Sequence, residues 1–198
     1  MNKRQVEHFF EILSKIYAKP CRVVLTGAAA GILYGRVRAT LDIDFEALTE
    51  NWDEFSKAVE QVRIQTGIEA QFSEDIDHWS SITLSGYREH VYLHQKFGSL
   101  EIFLMEPPYW AIGKLSRYLD QDIEDMMLVF KKTLTPWENV LSVAGTALKK
   151  SPKSTDCFLF RKQTEDFIKN RGREVWGDAF DPQKAIAFFH QHAGIASA

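Results

Sequence analysis

Cysteine is nearly absent from this sequence: Cys21 and Cys157 are two isolated thiols in 198 residues. That excludes a disulfide-stapled scaffold and makes the cytoplasm the expected location. No apolar run approaches the roughly eighteen residues of a membrane span, so no membrane partner is expected. The N-terminal stretch MNKRQVEHFFEILSKIY scatters its charges through an amphipathic helix pattern and lacks a signal-peptide cleavage site. Repeats at solenoid spacing are missing, which excludes an array. Neither charge dominates: 24 Lys and Arg stand against 27 Asp and Glu, with a pI near 6.1. His78, His90 and His94 form no zinc pattern with either cysteine and read as scattered surface histidines. What is present is 45% hydrophobic and 13% aromatic residues, enough for a chain of this length to bury a proper core.

The most informative stretch is Val23–Phe45, VVLTGAAAGILYGRVRATLDIDF. It reads as a buried strand, a turn at Gly27, a short helix over Ala28–Tyr34 and a second strand. Strand side chains alternate with period two, so Leu41, Ile43 and Phe45 point one way while Asp42 and Asp44 point the other. The two carboxylates then stand about 7 Å apart on one face. In a half-buried sheet they repel each other unless a cation neutralises them, and hard oxygen ligands suit Mg²⁺ or Mn²⁺. Gly27 lets a phosphate approach the backbone, and the amides of the helix start favour an anion. The same alternation is also the ordinary sign of a solvated strand face, and a lone glycine punctuates most strand-to-helix turns. The order of strand, glycine, helix and paired acids is what points to metal. Arg36 and Arg38 precede the acidic strand and can meet a triphosphate or pair with acids on the surface.

That order resembles the nucleotidyltransferase superfamily built on the DNA polymerase β palm. A strand ending in glycine plus a small residue, a helix, and Asp-x-Asp on the next strand are its signature, matched here by Gly27-Ala28 and Asp42-Ile43-Asp44. Ala28 stands where the superfamily usually has Ser or Gly. The text through Asp125 resembles bacterial minimal nucleotidyltransferase domains related to abortive-infection and toxin–antitoxin proteins. The resemblance implies a nucleotidyltransferase-like mixed sheet, Mg²⁺ or Mn²⁺ as cofactor and a nucleoside triphosphate as substrate. It implies that Asp42 and Asp44 are catalytic metal ligands, and that Gly27, Ala28, Arg38 and Thr40 lie on the nucleotide side of the site.

A third carboxylate on a later strand completes such a site in the superfamily. Ser99–Met105 alternates so that Leu100, Ile102 and Leu104 face one side while Glu101 and Phe103 face the other, which makes Glu101 the candidate. Farther on, Glu106-Pro107-Pro108 ends that strand and opens a helix over Tyr109–Leu119. A second helix begins near Asp122, with Asp120 or Asp122 as its cap and Asp125 at capping-box spacing. The same domains carry Lys-Leu-x-Arg followed by Asp-x-x-Asp here. The resemblance makes Lys114 a candidate for nucleotide phosphates, with Arg117 and Asp122 in support. The plain alternative is an exposed helix face with acidic caps.

Elsewhere, Asn51–Thr66 has the spacing of an amphipathic helix, and Ile82–Leu84 and Val91–Phe97 read as strands, with Gly98 turning into the Glu101 strand. Tyr87-Arg88-Glu89-His90 resembles a Tyr-Arg-Glu-Arg segment of the related domains, with no mechanism attached. Helices fill the last third: Thr135–Leu148 with Pro136 in its first turn, Asp156–Asn170, and Pro182–His192 capped by Asp181. The expected architecture is α+β, with a nucleotidyltransferase-like domain over residues 1–135 and a helical C-terminal extension over 136–198 packed on it. Residues 149–173 carry +5 (Lys149, Lys150, Lys153, Arg161, Lys162, Lys169, Arg171 and Arg173 against three acids), leaving −8 elsewhere. Such a basic lobe suits RNA phosphates or an acidic partner, although basic helix ends are mostly solvated.

Two expectations of different class follow. One is an Mg²⁺-dependent nucleotidyltransferase that moves a nucleoside monophosphate from a triphosphate to an acceptor hydroxyl on a protein, an RNA or a small molecule, within a toxin–antitoxin or phage-defence system. The other is a non-catalytic binding module of the same fold, an antitoxin-like or toxin-like partner protein.

Overall fold

Asn2 opens the first helix. Its side chain accepts from the Gln5 amide at 3.1 Å while Gln5 reaches back to the Asn2 amide at 2.9 Å, a reciprocal cap that starts α1 at Lys3–Ile16. Val6, Phe9, Phe10 and Leu13 fall at helical spacing and are fully buried. The computed structural model describes residues 1–35 and 39–196, so Arg36 and Arg38 lie outside the described residues. The elements that follow are β1 (Cys21–Leu25), α2 (Gly27–Leu33), β2 (Asp42–Thr49), α3 (Trp52–Thr66), β3 (Glu69–Ser73), β4 (Val91–Phe97) and β5 (Leu100–Met105). The helices α4 (Pro107–Arg117), α5 (Asp120–Thr133), α6 (Trp137–Lys150), α7 (Thr155–Trp176) and α8 (Pro182–Ala193) complete the α+β architecture read from the sequence. Among the described residues no helix is long and apolar enough to cross a membrane.

The sheet is mixed, in the order β3-β2-β1-β5-β4. β1 runs antiparallel to β2 and parallel to β5, and β2 runs parallel to β3. On one face Val23, Leu25, Ile43, Phe45, Leu100, Ile102 and Leu104 are buried. Phe45 meets Phe10 edge-on at 5.5 Å and stacks on Phe72 at 5.4 Å, so the sheet and α1 share one aromatic core.

Two compact units result: Met1–Ile76 with Val91–Met105, and Asp77–His90 with Glu106–Ala198. The first contains the whole sheet with α1, α2 and α3. In the second, α4 and α5 cluster with α6, α7 and α8, so the helices that sequence groups with the sheet up to residue 135 belong to the unit of the C-terminal helices. Its core gathers Phe130, Phe167, Trp176 and Phe180, with the Trp176 indole donating to the Thr135 carbonyl at 3.0 Å.

Several local expectations are corrected. Ile82–Leu84 is not a strand, because its amides are taken by side chains: Ile82 by Ser80, Thr83 by Ser151 and Leu84 by Asp77. A strand forms instead at Glu69–Ser73, alongside β2. α6 begins at Trp137 with Pro136 outside it as the capping residue, and α7 runs on to Trp176. α5 is preceded by Leu119, and neither Asp120 nor Asp122 caps it through a side chain.

Candidate functional site

β2 presents its acids as the alternation requires. Ile43, Phe45 and Ala47 are buried on the core face, and Asp42 and Asp44 are half-buried on the other. The Thr40 hydroxyl donates to Asp42 Oδ1 at 2.9 Å, and the N-terminal ammonium of Met1 donates to the Thr40 carbonyl at 2.7 Å. Thr40 thus touches Asp42 directly.

Asp44 lies against the start of α2. The Thr26 amide donates to the Asp44 carbonyl at 2.9 Å, tying the end of β1 to β2. Gly27 follows with φ at +60°, and a Cβ added there would lie 2.1 Å from Asp44 Oδ2. The glycine is therefore required twice, for its left-handed backbone and for the space its missing side chain leaves to the carboxylate. Ala28 sits half-buried in the first turn of the same seven-residue helix. Gly27, Ala28, Thr40, Asp42 and Asp44 are all parts of one corner of the first unit.

Glu101 is not part of that corner. It does project from the same face as Asp44, as alternation along β5 predicts, with Leu100 and Ile102 buried beside it. Register separates them, because Glu101 aligns with Arg22 of β1 and Arg22 aligns with Leu48 of β2, four residues beyond Asp44. At about 3.3 Å per residue and 4.8 Å per strand, the two backbones are roughly 16 Å apart, too far for their carboxylates to share an ion. Glu101 instead accepts from Lys96 Nζ at 2.9 Å. The residues of β5 nearer the aspartates on that face are Phe103 and Met105, which carry no carboxylate.

The acid that the same alternation does add is Glu46. It follows Asp42 and Asp44 by period two, is fully buried, and its Oε2 accepts from the Ile76 amide at 3.2 Å. The sequence signal for it is the same period-two alternation that pairs Asp42 with Asp44, carried one step further along β2.

Lys114 belongs to the second unit and is almost fully buried. Its ammonium donates to Asp122 Oδ1 at 2.7 Å and to Asp125 Oδ2 at 2.8 Å, and Arg117 reaches Asp122 at 2.9 Å. Burial raises the Asp122 carboxyl, and the ammonium of Lys114 and the guanidinium of Arg117 outweigh it, so its pKa ends below the ordinary value. The motif Lys-Leu-x-Arg with Asp-x-x-Asp is here an ion network joining α4 to α5. An ammonium committed to two buried carboxylates is not presented to a triphosphate.

The donor set of the first corner sets what it can hold. Among the described residues, no group of three or more His, Cys, Asp or Glu side chains is placed to hold a metal ion. Asp42 and Asp44 do not make a preformed cage. Mg²⁺ in general keeps several waters and takes one or two protein carboxylates plus phosphate oxygens. No family model, curated protein or solved structure matches this chain.

Proposed function

We propose that the corner formed by Asp42, Asp44 and Gly27 binds a nucleoside triphosphate with Mg²⁺ and that the chain is a nucleotidyltransferase. The observation that supports this reading is the fit of the Asp44 carboxylate over Gly27, which combines two carboxylates on one strand face with a glycine-opened helix start. Asp42, oriented by the Thr40 hydroxyl, and Asp44 would hold the ion. When bound, Mg²⁺ would neutralise the triphosphate and stabilise the charge that develops as pyrophosphate leaves. The transfer forms a bond from an acceptor hydroxyl oxygen to the α-phosphorus and breaks the α–β bridge. The acceptor class is protein, RNA or small molecule.

Because two carboxylates alone are a poor cage, metal and nucleotide should bind together. Mn²⁺ titrated without nucleotide should bind weakly. With one of ATP, GTP, CTP or UTP present it should bind saturably, and Asp42→Asn or Asp44→Asn should abolish that binding. Glu101→Gln should leave it unchanged. Equal binding by the parent and both Asp variants would overturn the reading.

A second reading, a non-catalytic binding module of the same fold, is favoured by the positions of Glu101 and Lys114. Nucleotide binding without release of pyrophosphate, across a panel of protein, RNA and small-molecule acceptors, would select it.

A further inference from the structure

The first unit carries a guanidinium without an anion. Arg22 lies on the central strand β1, in register with Leu48 on one side and Glu101 on the other. A carboxylate directly across a strand pair is the natural partner for such a cation. Glu101 is instead committed to Lys96 on β4, at 2.9 Å. The Arg22 guanidinium carbon stands 3.9 Å from the centre of the Phe103 ring, and its Nε is shut off from water with no hydrogen-bond partner. Among the described residues Arg22 forms no ion pair, so stacking on Phe103 is the interaction that holds it.

This guanidinium borders a groove of about 540 Å³, lined also by Leu48, Thr49, Lys96, Ser99 and Glu101, with Glu50 on the exposed turn beyond β2. Glu101 and Lys96 pair with each other at 2.9 Å, and among the described residues no ion pair joins Glu50 to Arg22. The groove therefore offers one planar cation, pre-oriented by an aromatic ring, beside hydroxyls and an exposed leucine. With Nε shut off, the two Nη groups of a guanidinium stacked on Phe103 are the parallel N–H donors that match the two oxygens of a carboxylate or phosphate. A volume of this order is that of a small-molecule site.

We propose that this groove binds a small ligand bearing an oxyanion, a phosphate ester or a carboxylate, through the Arg22 guanidinium, with the body of the ligand against Leu48. The site is distinct from the aspartate corner: Arg22 stands roughly 14 Å from Asp44 along and across the strands. It needs no metal and does not depend on the function proposed above.

The test uses the full chain in EDTA, with phenyl phosphate, benzoate and the neutral benzyl alcohol as probes, followed by calorimetry or NMR titration. At least one anion should bind saturably and about tenfold or more tightly than the alcohol, the margin expected of charge-assisted hydrogen bonds. The tighter of the two anions identifies the headgroup. Arg22→Gln should remove the preference, and Arg22→Lys should weaken it by losing the fork. Glu101→Gln, a surface change that frees Lys96, should tighten anion binding several-fold and gives a reading even if the Arg22 variants fold poorly. Three results would each overturn the proposal: no saturation by either anion at roughly 10 mM, equal binding of alcohol and anions, or unchanged anion affinity in both Arg22→Gln and Glu101→Gln.

Discussion

Asp44 occupies the space that Gly27 leaves empty, and this pair ties the candidate site to a backbone requirement. Gly27→Ala meets both a φ of +60° and a contact of 2.1 Å with Asp44 Oδ2. It should cost about 1–3 kcal/mol in denaturant unfolding, and it should weaken nucleotide-dependent Mn²⁺ binding by displacing the carboxylate. Lys114 makes the opposite case, a residue whose charge is used inside the protein. Lys114→Met leaves Asp122 and Asp125 buried together without their ammonium and should destabilise by about 3–5 kcal/mol. The pH dependence distinguishes the two proteins. In the parent, Asp122 has a lowered pKa, so its contribution is complete above the ordinary value of 3.8 and is lost as pH falls through the folded value. In Lys114→Met burial acts with less opposition and raises the carboxyl, so the variant should gain stability between pH 7 and pH 5 while the parent gains none from this group.

At the level of elements, packing decides the sign of changes that helix propensity alone would get wrong. Gly145 in α6 and Gly113 in α4 are both helical, and propensity favours alanine at each by up to about 1 kcal/mol. Around Gly113 nothing lies within 4 Å of an added Cβ, so Gly113→Ala should stabilise. An added Cβ at Gly145 would meet His192 Cβ at 2.6 Å and the backbone of α8 at 2.9–3.0 Å. Gly145→Ala should therefore destabilise by about 1–3 kcal/mol, since backbone cannot yield as a flexible side chain can. Thermal unfolding of the two variants beside the parent checks both signs. Between α7 and α8, Glu165 accepts from Arg161 at 2.7 Å and lies 2.8 Å from His190 Nε2. Burial raises that carboxyl and its two partners outweigh it, so its pKa is lowered, and the carboxylate's share of the contact is lost as pH falls through that lowered value.

For the molecule as a whole, the two cysteines report on opening. Cys21 is buried in β1 and burial pushes its thiol up to about 12, whereas Cys157 is half-exposed near the start of α7. The native protein should react with a thiol-specific disulfide reagent at one equivalent, with the second appearing only at the rate or denaturant concentration at which the first unit unfolds. What the sequence alone determined is the set of features carried by local periodicity and caps: the α+β class, the faces of β2 and β5, the Asp181 cap, and the order of strand, Gly27, helix and paired Asp42 and Asp44. These follow from side-chain alternation and from hydrogen bonds within a few residues, which neighbouring positions in the chain specify. Tertiary structure decided the rest. Alternation placed Glu101 on the expected face, but the register of two strand pairs, made by contacts distant in sequence, carried it four residues away from Asp44 and beside a Lys96 that takes it from Arg22. Burial turned Asp122 and Asp125 from expected caps into partners of Lys114. Register and burial depend on which distant segments share a core, and no local pattern encodes them.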